Sequence, residues 1–436
     1  MDNRALHIGI DFSHKRADVG LLGPQGQKIV DHRAFPNSRS GYEQFKKLVL
    51  KTIAAYEFDE VLVSGEATST YWMPFFMQLR QDEEMQAYNL YQYLLNPRWV
   101  KWFKKCFAPD HKNDNRDGFY IAERTRTHRP AYEWQMDKQW LPLRFYTRLR
   151  FHLVHDLSRA KNFYQAYLFV LNNAYTQHKP FSDIFSVTSR KVLTQQDDLE
   201  WVESAETIEV VEYLEQISGR RLSDPLDNAQ QLQKVITERI LIDEQLAFAL
   251  QQILNLVMDH IRFITHQINQ VEQWLDAEAQ SLPEVQFLRS IPGIGPVFAS
   301  GIAAEIGDLN RFFYGQKWDS KRKRYRAKNL RDVDAAVAKL AGLWWPQSSS
   351  GGFESEDRKL AKSGNRYLRY YLIEAADHLR RWIPAYSSFY HKKYMEVNKH
   401  RHKRALVLTA RKSIRLIVGL LHRKEPFRSE EVARKS

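Results

Sequence analysis

The chain has 436 residues, 43% of them hydrophobic, which at roughly 150 residues per domain suggests about three domains with substantial cores. Its 65 lysines and arginines against 52 carboxylates give a net charge of +13, which argues against an acidic, self-solvating chain and favours a polyanionic partner, most often nucleic acid. The lone cysteine, Cys106, excludes an internal disulfide and a cysteine-based zinc site. No apolar run approaches the ~18 residues that span a bilayer, and no signal peptide is visible, so a cytoplasmic protein without a membrane partner is expected.

In chain order, Leu6–Asp11, Ala17–Leu22 and Gln27–Phe35 read as three strands, the last two joined by the turn Gly23-Pro24-Gln25-Gly26. Ser40–Tyr56 has helical spacing, Glu60–Ser64 is a compact buried-type strand, Tyr71–Leu79 is again helical and Tyr88–Leu95 reads as a fifth strand. Strands mixed with helices in this order predict a mixed sheet with helices on its faces. Leu143 to about Tyr175 is a long amphipathic segment whose polar positions carry Arg144, Arg148, Arg150, Arg159 and Lys161, candidate phosphate contacts.

Residues 178–230 carry no clear periodicity. A helix is then predicted from Leu232 to Ala279. Leu246, Leu250, Ile253, Val257, His260, Ile264, Gln267, Val271 and Trp274 alternate four and three apart along it, a heptad seam expected to pair helices or subunits. "IPGIGPVFASGIAAEIG", Ile291 to Gly307, reads as a helix-hairpin-helix whose Gly293 and Gly295 expose backbone N–H groups to a phosphate. The basic run Lys321, Arg322, Lys323, Arg324 reads as a phosphate contact or a solvated loop. "AGLWWPQSSSGG" has the composition of a flexible linker, and "KSGNRYLRYYLIEAA" opens a further basic amphipathic helix with Lys362 and Arg366 near its start.

Four carboxylates stand out. Asp11 ends the first strand and Glu66 follows the fourth; these strands are often neighbours in a mixed sheet. Asp114 and Asp117 are three residues apart at a predicted helix start and share a face. Four hard oxygen donors in one cleft suit Mg²⁺, and two ions about 3.5–4 Å apart would fit such a set.

"GIDFSHKRADVGLL", "SGEATSTYW" and "KNDNRDGFYIAE" resemble the three blocks of a RuvC-like, ribonuclease-H-fold domain with a DEDD signature. "SIPGIGPVFASGIAAEIGDLNRF", "LAGLWWPQSSSGG" and "KSGNRYLRYYLIEAA" resemble the C-terminal domain of the same proteins. These are the DEDD-serine insertion-sequence transposases (insertion sequence one-ten family), related to pilin-gene invertases and known as bridge-RNA-guided recombinases. The chain departs from the family in having Lys112-Asn113-Asp114 for Lys-Thr-Asp and Asp117-Gly118 for Asp-Ala, and in a longer segment before the serine motif.

The resemblance implies an α/β plus all-α chain. A RuvC-like DEDD domain spans 1–175, a helical coiled-coil region 176–284, and a mainly helical transposase domain with a helix-hairpin-helix 285–436. It further implies Mg²⁺ on Asp11, Glu66, Asp114 and Asp117, and a serine nucleophile: Ser350, with Ser349 next and Ser348 behind them. The expected product is a phosphoserine-linked exchange of donor and target DNA, guided by a structured bridge RNA. The expected assembly is a homodimer, tetrameric in the synaptic complex, associated with a prokaryotic nucleoid. The competing expectation is a structure-selective nuclease, such as a junction resolvase, using the same carboxylates with water as nucleophile. An actin-like kinase ranks lower, because the charge, the DEDD spacing and the lack of a second Gly-rich phosphate loop disfavour it, and so does a non-catalytic nucleic-acid-binding protein, because all four carboxylates and the serines are present.

Overall fold

The computed structural model describes residues 4–107, 116–130, 132–194, 199–346, 349–350, 353–354 and 360–428. They form two units: residues 1–140, 306–364 and 411–423 make the first, and residues 141–305, 365–410 and 424–436 the second.

The first unit holds a mixed five-stranded sheet. Its strands are β1 (Ala5–Phe12), β2 (Arg16–Leu22), β3 (Lys28–Pro36), β4 (Glu60–Glu66) and β5 (Asn89–Leu95), in the order β3-β2-β1-β4-β5. β1, β2 and β3 pair antiparallel, whereas β4 and β5 run parallel to β1. Side chains alternate across a strand, so β1 serves two faces. Leu6, Ile8, Ile10 and Phe12 pack with Val61 and Val63 against Phe45 of helix Arg39–Tyr56 and Phe76 of helix Met73–Gln81. The other face of the sheet takes the helix Asp117–Thr127, where Ile121 packs with Ala5 and Leu62 and where Ser64 and Thr125 share a buried 2.6 Å hydrogen bond.

That helix lies at backbone contact with the sheet because three glycines meet there. A Cβ on Gly9 would sit 2.0 Å from the Gly118 carbonyl oxygen. One on Gly20 would sit 2.7 Å from the Phe119 nitrogen, and one on Gly118 2.7 Å from the Asp18 oxygen. Each obstacle is main chain and cannot rotate away. Gly9→Ala is expected to cost about 1–3 kcal/mol or more by overpacking, read as a lowered denaturation midpoint. A wild-type midpoint would show that the helix is not seated this closely.

In the second unit the helices Leu141–Leu171 and Glu244–Ala279 pack along one another. A core of Tyr164, Leu168, Leu254, Met258 and Ile261 is completed by shorter helices from residues 187–238, including Val210, Leu214, Leu232 and Val235. The single helix predicted from Leu232 to Ala279 is two: Pro225–Glu238 and Glu244–Ala279. The second restarts where Asp243 accepts a hydrogen bond from the Leu246 backbone N–H.

The predicted heptad seam is likewise shifted. The buried stripe runs through Leu250, Leu254, Met258, Ile261, Ile264, Ile268, Val271 and Leu275, because its partner is the Leu141–Leu171 helix of the same chain. Leu246, Ile253 and Trp274 are left exposed, with Leu256 and Phe263 beside them. The chain is thus a mixed α/β N-terminal domain followed by a mostly helical region with long helices, and among the described residues no helix is long and apolar enough to cross a membrane.

Candidate active site

Alternation carries Asp11 to the same face as Gly9, beneath the start of the Asp117–Thr127 helix. On β4, Leu62 and Ser64 face that helix, so Glu66 does too. β1 and β4 pair in parallel with Ile10 opposite Gly65, which makes Asp11 and Glu66 the next rung. The glycine contact sets Asp117, in the helix's first turn, above them. Burial pushes the Asp11 carboxyl up to about 6. Lys104 opposes this, and Asp117, Glu66 and Asp18 add to it by repulsion.

Two of these neighbours have counter-charges. Lys104, on the helix Pro97–Phe107, holds Asp117 at 2.5 Å. Asp18 lies opposite Asp11 in the β1–β2 register and is buried, bonded to Arg16 Nε and His32 Nε2 at 2.9 Å each. Glu66 accepts a 2.8 Å hydrogen bond from the Thr68 hydroxyl. Asp18, Lys104 and His32 were not legible as site residues. Asp18 sits mid-strand, and only the register puts it beside Asp11.

Asp11, Glu66 and Asp117 are therefore brought together electrostatically, while Asp114 lies outside the described residues. Their hard oxygen chemistry and the repulsion at Asp11 fit a divalent cation such as Mg²⁺. Among the described residues, no three acidic, histidine or cysteine side chains close into a ligand cluster.

Ser349 and Ser350 form a two-residue strand paired with Phe353–Glu354; Ser348 lies outside the described residues. Several predicted phosphate contacts have partners inside the protein. Arg148 makes a bidentate pair with Glu305 at 2.7 and 2.9 Å, and Arg144 Nε donates to the Ala304 carbonyl at 2.9 Å. Arg159 pairs with Asp156, and Lys161 stands over the Phe185 ring at 4.6 Å. Arg366 donates to the Tyr367 hydroxyl at 2.8 Å, and Lys362 precedes it in a left-handed backbone conformation. Gly293 takes φ +86° in the turn between helices Pro283–Arg289 and Pro296–Ile306, where a Cβ would strike Trp382; a Cβ on Gly295 would meet open space. The run Lys321 to Arg324 is exposed.

Two family models match the chain. One, a DEDD-type IS110 model described as "Transposase", covers residues 8–172, and one described as "Transposase IS116/IS110/IS902 family" covers residues 285–318 and 328–391. A "Probable family 20 transposase" of Pseudomonas aeruginosa is 27% identical over 125 residues, 29% of this chain and 31% of that protein, so the match spans about a third of the relative.

These matches correct one expectation. They support transposase or nuclease activity built on the metal-dependent, RuvC-like chemistry of the DEDD domain. They do not support an RNA-guided exchange through a phosphoserine link, and the competing expectation of water as nucleophile takes its place.

Proposed function

The chain belongs to the IS116/IS110/IS902 family of transposases, and from that premise we propose that it cuts DNA by metal-dependent hydrolysis with water as the nucleophile. The observation that carries this is the carboxyl of Asp11, held high by burial and by Asp117 and Glu66 on the same face. Burial and carboxylate repulsion outweigh the one cation beside the cluster, Lys104, and DNA cutting needs a further cation where phosphate charge develops.

Asp11, Glu66 and Asp117, with Asp114, would hold Mg²⁺. When bound, that ion supplies Lewis-acid polarisation of the scissile phosphate and a lowered pKa for an attacking water. The chain's own part is positioning. β1 and β4 fix two carboxylates on one rung, the glycine contact fixes the third, and Lys104 keeps Asp117 aimed. The strand order, three antiparallel strands continued by two parallel ones, supports a RuvC-like ribonuclease-H fold. The exposed row Leu246, Ile253, Leu256 and Phe263 supports a homodimer as the working form, with donor and target DNA as substrates.

The test is Ser350→Ala with Mg²⁺ on supercoiled and branched DNA. Cutting is expected to stay within about threefold of wild type, well under the ~1.4 kcal/mol of a tenfold change, with no detergent-resistant protein–DNA adduct. Lost cutting, together with a wild-type adduct that the variant cannot form, would overturn the water route.

A further inference from the structure

The matched stretches 285–318 and 328–391 leave out residues 319–327, which carry the tip and the second strand of a β-hairpin. Strands β6 (Gln316–Asp319) and β7 (Arg324–Ala327) pair antiparallel around the four-residue tip 320–323. We propose that this hairpin is a duplex-DNA-binding ribbon that seats in the major groove. The choice of DNA rests on the DNA-cutting function proposed above.

The two faces of the ribbon differ. On one, Lys317 and Arg326 both reach Asp332 at 2.6 Å, and Asp332 also caps the helix Leu330–Ala341. These two cations hold the carboxyl of the nearly buried Asp332 well below its ordinary range. That face fastens the ribbon's root to the unit. On the other, Trp318 and Tyr325 stand directly opposite each other, ring centroids 5.1 Å apart, and are 50% and 65% exposed.

The tip is closed by Asp319, which accepts hydrogen bonds from the Lys321 and Arg322 backbone N–H groups, so the loop is ordered. The side chains of Lys321, Arg322, Lys323 and Arg324 are exposed and have no partner among the described residues. Four unneutralised cations projecting beyond an exposed aromatic pair match a polyanion whose bases and sugars offer apolar surface.

Shape decides between nucleic acids. Four residues per strand at about 3.4 Å each give a ribbon of about 14 Å, longer than the ~8.5 Å depth of the B-DNA major groove, whose ~12 Å width admits a two-stranded ribbon. The deep, narrow major groove of A-form RNA does not admit one.

The experiment measures binding by fluorescence anisotropy, using the full-length protein in EDTA so that no cutting occurs. The probes are a labelled DNA duplex about three helical turns long and an RNA duplex of the same sequence. The quadruple variant K321A/R322A/K323A/R324A is expected to bind the DNA duplex about 10- to 100-fold more weakly near 100 mM salt, with a log–log salt slope shallower by about 3–4. Its melting temperature should be unchanged, since the four side chains are exposed. Trp318→Ala with Tyr325→Ala is expected to weaken DNA binding without moving the slope, and RNA-duplex binding should change little in either variant. Wild-type affinity and slope in the quadruple variant would overturn the proposal, and so would an equal loss on duplex RNA. Because binding is read in EDTA, where no cutting occurs, a failure of the cutting chemistry leaves this readout intact.

Discussion

Asp11→Asn is expected to lower Mg²⁺-dependent DNA cutting by on the order of 10²–10³-fold and, at the same time, to make the metal-free protein more stable. The second half follows from the sign of the shift. The Asp11 carboxyl rises from 3.8 to about 6 in the folded protein, so the ionised form is the one that folding disfavours. Above pH 6 the native state bears that cost in full; below about pH 4 both folded and unfolded chains are protonated and the cost vanishes. A tenfold change in proton affinity is worth about 1.4 kcal/mol. After discounting for partial exposure, the asparagine variant should gain about 1–3 kcal/mol at pH 7 and nothing at pH 4.

His7 titrates in an overlapping window. Burial lowers it from 6.5 to about 4, so its contribution is lost as pH falls between those values. It does so equally in both proteins and cancels in the difference. Denaturant midpoints across pH 4–7.5 without divalent cations test this directly. A variant less stable than wild type at pH 7 would mean that Asp11 is a structural hydrogen-bonding group rather than part of a charge-starved cluster.

Glu305→Ala is expected to destabilise the second unit by about 3–5 kcal/mol. Glu305 is 2% exposed and ends its helix, where a carboxylate meets the negative pole of the helix dipole. It is tolerated because Arg148 binds it bidentately and Asn365 donates to it at 2.6 Å, while the Arg148 guanidinium also stands over the Tyr367 ring at 4.8 Å. Removing the carboxylate leaves a half-buried guanidinium without its counter-charge and an amide without its acceptor. Replacing the pair together, Arg148→Met with Glu305→Leu, should recover much of the loss, since the charges oppose burial that apolar groups do not. A Glu305→Ala midpoint within about 1 kcal/mol of wild type would show that Arg148 is held by its other contacts.

The five strands were readable because their apolar residues alternate with period two or run continuously, and the structure sets their bounds within two residues of the sequence expectation. The carboxylates on β1 and β4 were readable for the same reason: strand ends are visible, and adjacency of the first and fourth strands is common. What brings Asp117 to them was not. Gly9, Gly20 and Gly118 signal close approach only once it is known which helix crosses which strands. Gly118 had registered merely as a departure from Asp-Ala. The break at residues 239–243 was hidden because apolar residues continue across it. The β6–β7 hairpin was hidden because its strands alternate charged with aromatic residues, which resembles a solvated basic loop. Arg148 read as a phosphate contact because nothing local to it reveals Glu305, which lies 157 residues away.

The first unit is assembled from residues 1–140, 306–364 and 411–423, and this has a consequence in time. A ribosome adding about 5–20 residues per second finishes the β1–β5 sheet long before it reaches Arg411, whose guanidinium binds Asp334 at 2.8 Å. At the start of that interval the growing chain holds its acidic face with two of the unit's three pieces still unmade. A product released early, by a nonsense codon or a stalled ribosome, therefore carries the carboxylates without the unit that frames them. The frame closes only when the unit's last piece, residues 411–423, has been made.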